Sequence, residues 1–533
     1  MAVVHSWPLA GDLAHLARLD NDDAALNTWA ITWVAHILPR HPLALFDAPI
    51  FHPEDNTLAY SEHLFVQSMM GAPLLWSGVA PVVVHNLLLI AGFALSGWAM
   101  YLLITRWTGS WQAGVVSGLI YAFNAHTLTR FPHLQAQHVE FFPLMLYAFD
   151  RLITKSPTHQ LKSPNPQIKS PNHQIKSPDH QIPRSPDVAL LSTSFLLQSL
   201  CSNYLLVFSL FALAAMIAVR TDGWAKRAMI ALGIAGVASA ILLVPFLWPY
   251  YEVSRQQGLT RSIEEVARYS AGWRDYLVTG GRLHYQLWSH ALFEGRTALF
   301  AGVTASLLAL AALAEWRDRR VQMAIAFGAV GVAFSFGPAL PGYTAVHDLF
   351  PLLAGIRNAA RFGWLFLAAV AVLAGFAAAR IRSPWAIALL CVLVTAESIR
   401  TPVGYTRFEG LPRIYDRVAA EPDLVLAEFP FYSGRSISDN GPYVLANTRY
   451  LRPLVNGYSG FQPRGFEERG RLLNQFPEQP AIAHLRALGV THVTVHRAAF
   501  AERFGEAARD AIDAVSALEL IDEVDGVRLY RLR

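Results

Sequence analysis

The sequence predicts a mainly α-helical polytopic membrane protein of about 10–11 spans with a C-terminal extracytoplasmic α/β domain. Three observations predict it. Hydrophobic residues make up 53% of the 533-residue chain and charged residues only 15%, with a mean hydropathy of +0.30. Apolar runs close to the roughly 18–20 residues that cross a bilayer recur along most of the chain. After Arg400 the composition changes, and charged residues become frequent among short strand-like and helical patterns.

Read in order, residues 1–18 resemble the outer end of a first span whose beginning is absent, without the basic start of a signal peptide. Residues 19–78 form a large first outer loop. In it, 24–38 carries Trp29 and Trp33 four residues apart, and 57–76 carries Leu58, Phe65, Met69 and Leu74. Two juxtamembrane amphipathic helices lying at the interface fit these patterns, since Trp favours that depth. Membrane helices follow over 79–153, as spans at 79–104, 111–126 and 138–153. More lie within 187–400, at 187–203, 204–219, 228–248, 298–315, 321–338, 361–380 and 384–399, with a long outer loop at 249–297. Gly and Pro within some of these runs are tolerated in membrane helices.

Basic residues orient the spans. Arg106, the stretch 151–184, Arg220 with Lys226 and Arg227, Arg317 with Arg319 and Arg320, and Arg380 with Arg382 all fall on one side. The positive-inside rule makes that side cytoplasmic and puts residues 19–78 and 401–533 outside. The outside is then the periplasm or its equivalent. The net charge of +4 and pI near 9.0 therefore report topology and not nucleic-acid binding. Cys201 and Cys391 both lie in apolar runs, so neither a disulfide framework nor a cysteine metal site is expected.

Residues 154–186 break the pattern with the repeat KSPNPQI, KSPNHQI, KSPDHQI. A proline in every unit forbids a helix, and few residues are apolar, so a disordered cytoplasmic insert is expected. In 401–533, LVLAEF (424–429) and HVTVH (492–496) read as buried strands. Residues 480–488 and 503–517 have helical spacing, and EVDGVRLYRL (523–532) carries a hairpin Asp-Gly pair.

The candidate chemistry starts at Leu19-Asp20-Asn21-Asp22-Asp23, an acidic knot beside the bilayer. Carboxylates there are costly to misplace, so they face water, a metal or a substrate. Asp is also a good helix N-cap, and that role can coexist with a chemical one. A second cluster holds Arg130, His133, Gln135, His138 and Glu140. Arginine suits bidentate phosphate contact, whereas histidines at 133 and 138 are not spaced as a helical zinc pair. Glu62 and His63 diverge by about 100° on a helix, so only one of them faces a common cavity. Arg255 in the long loop can hold the lipid phosphate, and Arg357 and Arg361 before a span can pair with phosphate or snorkel.

These motifs resemble the GT-C superfamily of polytopic glycosyltransferases, and more closely bacterial YfhO-like membrane proteins. They are D-x-x-D-x-x-x-N-x-W (Asp20, Asp23, Asn27, Trp29), LAYSEHL at 58–64, Arg130-Phe-Pro-His133-Leu-Gln135, Arg357-Asn-Ala-Ala-Arg361-Phe362 and Asn456-Gly-Tyr-Ser-Gly460. The resemblance implies sugar transfer from a polyprenyl-phosphate donor to a cell-envelope glycan or protein acceptor at the outer face. It implies Asp20 and Asp23 as catalytic residues, activating the acceptor or ligating Mg or Mn. Asp22, Glu62, His63, Arg130, His133, Gln135, Arg255 and Arg361 are then substrate-binding candidates. Two other classes compete: a transporter or flippase, disfavoured by spans nearly free of charge, and a non-catalytic scaffold whose outer domain binds a glycan or partner through Tyr458 and Phe461.

Overall fold

In a computed structural model of the protein, residues 1–18, 22–154, 185–258 and 261–533 are described. Asp20 and nearly all of the proline-bearing repeat lie outside them. Each of the ten apolar runs contains a helix. Three of these, Pro81–Thr108, Lys226–Gln257 and Ala359–Ala378, are long and apolar enough to cross a membrane by length and composition. The boundaries follow local chemistry. Pro81 begins its helix where a missing N–H costs nothing, and Gly109 ends it in the left-handed region at φ 74°, its N–H bonding the Thr105 carbonyl. The Ser110 hydroxyl then accepts from the Ala113 N–H and starts the next helix, Trp111–Ala122.

Small residues set the helix spacing. A Cβ on Gly118 would come 2.6 Å from the Gly97 carbonyl oxygen, so these two helices meet backbone to backbone. Gly328 and Gly331 likewise meet Ala369 and Leu365, seating Arg319–Ser335 on Gly363–Ala378. Gly363–Ala378 is the central helix, with 15 of its 16 residues buried, against six of 32 in Lys226–Gln257. The latter turns Ile234, Val237, Ile241 and Leu242 outward, as a lipid-facing helix does. It runs on to Gln257, so the long loop starts later than the expected residue 249. Arg220 and Arg320 meet on Asp150 at one end of the bundle, which brings three helix ends together.

The C-terminal region forms a four-stranded sheet. Leu426–Phe429 pairs parallel with His492–His496, which pairs antiparallel with Val527–Leu532, and Leu518–Val524 forms the edge. The Asp525-Gly526 turn has both residues at positive φ, as a tight hairpin requires. The helical stretch expected at 503–517 divides into Arg497–Phe504, Glu506–Ala511 and a 3-10 turn.

Two expectations about domain organisation need correction. The segment 24–38 is not an interfacial amphipathic helix: Asp22–Ile37 buries 13 of its 16 residues. Nor does 401–533 stand alone. The Phe51 N–H bonds the Asn456 carbonyl (3.0 Å), the Leu454 N–H bonds the Pro49 carbonyl (2.7 Å), and Leu16–Ala17 pairs with Thr406–Arg407. Ile31, Trp33 and Phe51 share one apolar core with Val444, Leu454 and Val493. The physical reason is that from Ala24 on Asp22–Ile37 carries apolar residues on every face, and such a helix is stable only when covered.

Candidate active site

Four elements converge at the N-terminal end of Asp22–Ile37. The first is that helix, which presents Asp23 and, one turn on, Asn27. The second is the connection after Trp111–Ala122, folded into two short helices, Ala125–Thr129 and Leu134–Gln137. Asn124 caps the first by accepting from the Thr127 N–H (3.0 Å). The Gln137 amide closes the fold by donating to the carbonyls of Thr127 and Arg130. Asn27 fastens the helix to this connection by donating to the Pro132 carbonyl (2.9 Å) and to Gln135 Oε1 (3.4 Å). Residues 202–204 and 357–364 supply the other walls.

Asp23 has a partner on each of its carboxyl oxygens. His133 Nε2 lies 3.0 Å from its Oδ2, and the Tyr458 hydroxyl donates to its Oδ1 at 2.8 Å. Burial alone would raise its pKa. The hydrogen bonds from His133 and Tyr458, with Arg361 adding positive charge, outweigh burial and hold the carboxyl well below the usual carboxylate range. Burial pushes His133 below its ordinary 6.5, helped by Arg130 and Arg361 and opposed by Asp23. A neutral His133 donating Nε2–H to an ionised Asp23 satisfies both directions. Activity that depends on this pair is expected to stay level from pH 8 to about 6.5 and to fall only below it, as a kcat/KM profile will read. Stability has the same sign: the unfolded ring takes up its proton first, so stability is lost as pH falls through about 6.5.

Beyond Asp23 lies a cavity of about 30 Å³ lined by His126, Arg130, His133, Tyr204, Arg361 and Trp364, among others. Arg361 stacks over the Tyr204 ring at 4.5 Å. Burial, then the neighbouring Arg361, pushes the Arg130 guanidinium down to about 9. Neither arginine is ion-paired with a carboxylate among the described residues. Ser202 lines the cavity and donates to Glu62 Oε1 at 2.6 Å, so Glu62 stands behind it; burial raises the Glu62 carboxyl.

The other predicted residues lie elsewhere. Glu62 and His63 are not on a helix but precede Phe65–Trp76, since Leu64 takes a positive φ of 47° and breaks the run. His63 turns away into a box of Phe46, Phe65, Phe246 and Tyr250 and accepts from the Phe65 N–H. Asp22 sits against Gly441; burial and the nearby Asp439 and Asp23 raise its carboxyl. Arg255 is exposed on the last turn of Lys226–Gln257. Asp20 lies outside the described residues. No group of three or more His, Cys, Asp or Glu able to hold a metal occurs among the described residues, and both Asp23 oxygens are already engaged. Asp20, expected with Asp23 as a ligand of Mg or Mn, lies outside those residues.

Sequence reasoning missed Tyr458 as the partner of Asp23, along with His126, Ser202, Tyr204 and Trp364. A signal for Tyr458 existed in Asn456-Gly-Tyr-Ser-Gly460. A Cβ on Gly457 would lie 2.5 Å from the buried Phe51 ring, so only glycine lets this loop reach Asp23. Gly457→Ala is expected to cost about 1–3 kcal/mol by overpacking, read as a lowered unfolding midpoint in detergent.

The helical bundle with its appended sheet is a fold shared with solved membrane glycosyltransferases. Among solved structures it is similar to the mycobacterial arabinofuranosyltransferase AftD, with a TM-score of 0.53 at 14% identity over 96% of this chain. The match covers 39% of that protein, so this chain spans well under half its length. The oligosaccharyltransferase of Archaeoglobus fulgidus matches with a TM-score of 0.47 at 13% identity, covering 93% of this chain and 68% of that one. ArnT from Cupriavidus metallidurans matches at 0.38 and 12% identity, covering 95% and 93%. No protein-family model and no curated protein matches the chain.

Proposed function

We propose that the protein is an integral membrane glycosyltransferase that moves a sugar from a polyprenyl-phosphate donor to an extracytoplasmic glycan or protein acceptor. The observation that carries the reading is a doubly hydrogen-bonded Asp23 carboxyl beside a cavity lined by two arginines that have no carboxylate partner among the described residues. In this reading Asp23 takes the proton of the acceptor hydroxyl, whose oxygen bonds to the anomeric carbon. The carbon–oxygen bond to phosphate breaks, and the departing phosphate anion is received by Arg130 and Arg361. A carboxylate held this acidic is a weak base. It suits a late proton transfer, after the hydroxyl has begun to bond to carbon and has itself become acidic.

Asp20 belongs to the same reading as a second acid, and the closer kinship to YfhO-like proteins rests on the sequence motifs. The Asp23 end of the bundle is assigned to the outside of a bacterial inner membrane by the positive-inside pattern. The test supplies membranes containing the protein with a labelled polyprenyl-phosphate sugar. Loss of transfer in Asp20→Asn and Asp23→Asn supports the assignment, and full activity in both removes it. Movement of solute without consumption of the lipid-linked sugar would instead identify a transporter.

A further inference from the structure

We propose that His126 and Trp364 complete a phosphate cage with Arg130 and Arg361, and that this cage prefers a phosphomonoester to a phosphodiester. The proposal rests on the donor class put forward above and names two residues outside that reading. Its basis is a concentration of unpartnered buried polar atoms. Both ring nitrogens of His126, Nε of Arg361 and Nε1 of Trp364 are buried and lack a hydrogen-bond partner among the described residues, as does Nδ1 of His133, which is that ring's acceptor while Nε2–H is donated to Asp23. All four side chains line the same cavity. His126 is 5% exposed and Trp364 2%. Buried polar atoms in folded proteins are nearly always paired, so several orphans around one cavity mark a place for a ligand.

The chemistry of the orphans specifies that ligand. The guanidinium and indole N–H groups can only donate, and a neutral imidazole has one N–H to offer. The ligand must therefore present acceptors on several sides. It must also be anionic, because two guanidiniums share the cavity while Asp23 is occupied by His133 and Tyr458. A tetrahedral phosphate meets both demands.

Counting oxygens separates the two esters. A sugar-bearing donor is a phosphodiester, with two free oxygens and one negative charge. The carrier phosphate left after transfer is a monoester, with three free oxygens and about −1.5 to −2 charges at neutral pH. A cage with more donors than a diester has free oxygens holds the monoester better. The spent carrier then binds more tightly than the donor, and its release limits turnover.

The test is titration calorimetry on the full chain in detergent at one pH and ionic strength, with methyl phosphate and dimethyl phosphate as probes. Methyl phosphate is expected to bind about tenfold or more tighter than dimethyl phosphate. Trp364→Phe, which removes the N–H and keeps the ring, and His126→Leu are each expected to weaken methyl phosphate about five- to tenfold. Equal affinity for the two esters in the wild-type protein overturns the proposal whether or not the variants fold. So does wild-type affinity in both folded variants. Transfer of labelled sugar is measured alongside. Ester discrimination without transfer keeps the cage and removes the glycosyltransferase reading, whereas transfer without discrimination removes the cage alone.

Discussion

Asp23→Asn is expected to lower kcat for sugar transfer about 100- to 10,000-fold, the range lost with a general base. The change keeps the shape of the side chain but removes its charge and replaces one acceptor oxygen with an amide. Either His133 Nε2–H or the Tyr458 hydroxyl then faces a donor, so the fixed orientation of the group is lost with its basicity. Tyr458→Phe separates the two effects. It leaves the carboxylate and removes one of its hydrogen bonds, and its loss in kcat should be much the smaller. KM for the lipid-linked donor should move little in either variant, because the arginines and not Asp23 hold the phosphate. A large rise in KM with kcat unchanged would make Asp23 a binding residue.

The second large effect is on stability and lies at the opposite end of the bundle. Asp150 is 5% exposed and Arg220 2%. Arg220 Nη1 lies 2.7 Å from Asp150 Oδ1, and Arg320 Nε lies 2.9 Å from Oδ2. Arg320 also donates to the Trp107 carbonyl at 3.0 Å, tying in the Pro81–Thr108 helix. One carboxylate therefore joins four helix ends. Asp150→Ala leaves two guanidiniums facing each other and should cost about 3–5 kcal/mol, as loss of one member of a buried ion pair does. Unfolding of the purified protein in detergent will read the loss. The double variant Asp150→Leu with Arg220→Met should recover much of it, because the buried charge left behind, and not the missing attraction, is the main cost. A double variant as unstable as the single one would defeat that account.

Both sites show where sequence reading succeeds. All ten apolar runs contain helices, because a run of that length and composition must bond its backbone internally to survive in lipid. The strand His492–His496 and the Asp525-Gly526 hairpin were equally legible, one from an alternating apolar pattern and one from turn chemistry. Asp23, Arg130, His133 and Arg361 stood out as charged or titratable groups beside apolar segments, and the structure gathers them at one end of the bundle. Reading failed where two local patterns look alike. The Trp29 and Trp33 spacing describes an interfacial helix as well as a buried one, and only the cover supplied by residues beyond 401 distinguishes them.

The sequence by itself thus determined the helices, the sheet and which polar residues were out of place, because those are set by composition and by the local periods of helix and strand. The tertiary structure decided which of them meet. Tyr458 reaches Asp23 across 435 residues, and Asn27 reaches Pro132 across 105. His63 and Arg255 looked as eligible as Arg361, yet one turned into an aromatic box and the other to the surface. Such pairings depend on whether distant surfaces fit, as Gly457 must against Phe51, and no local pattern encodes that fit.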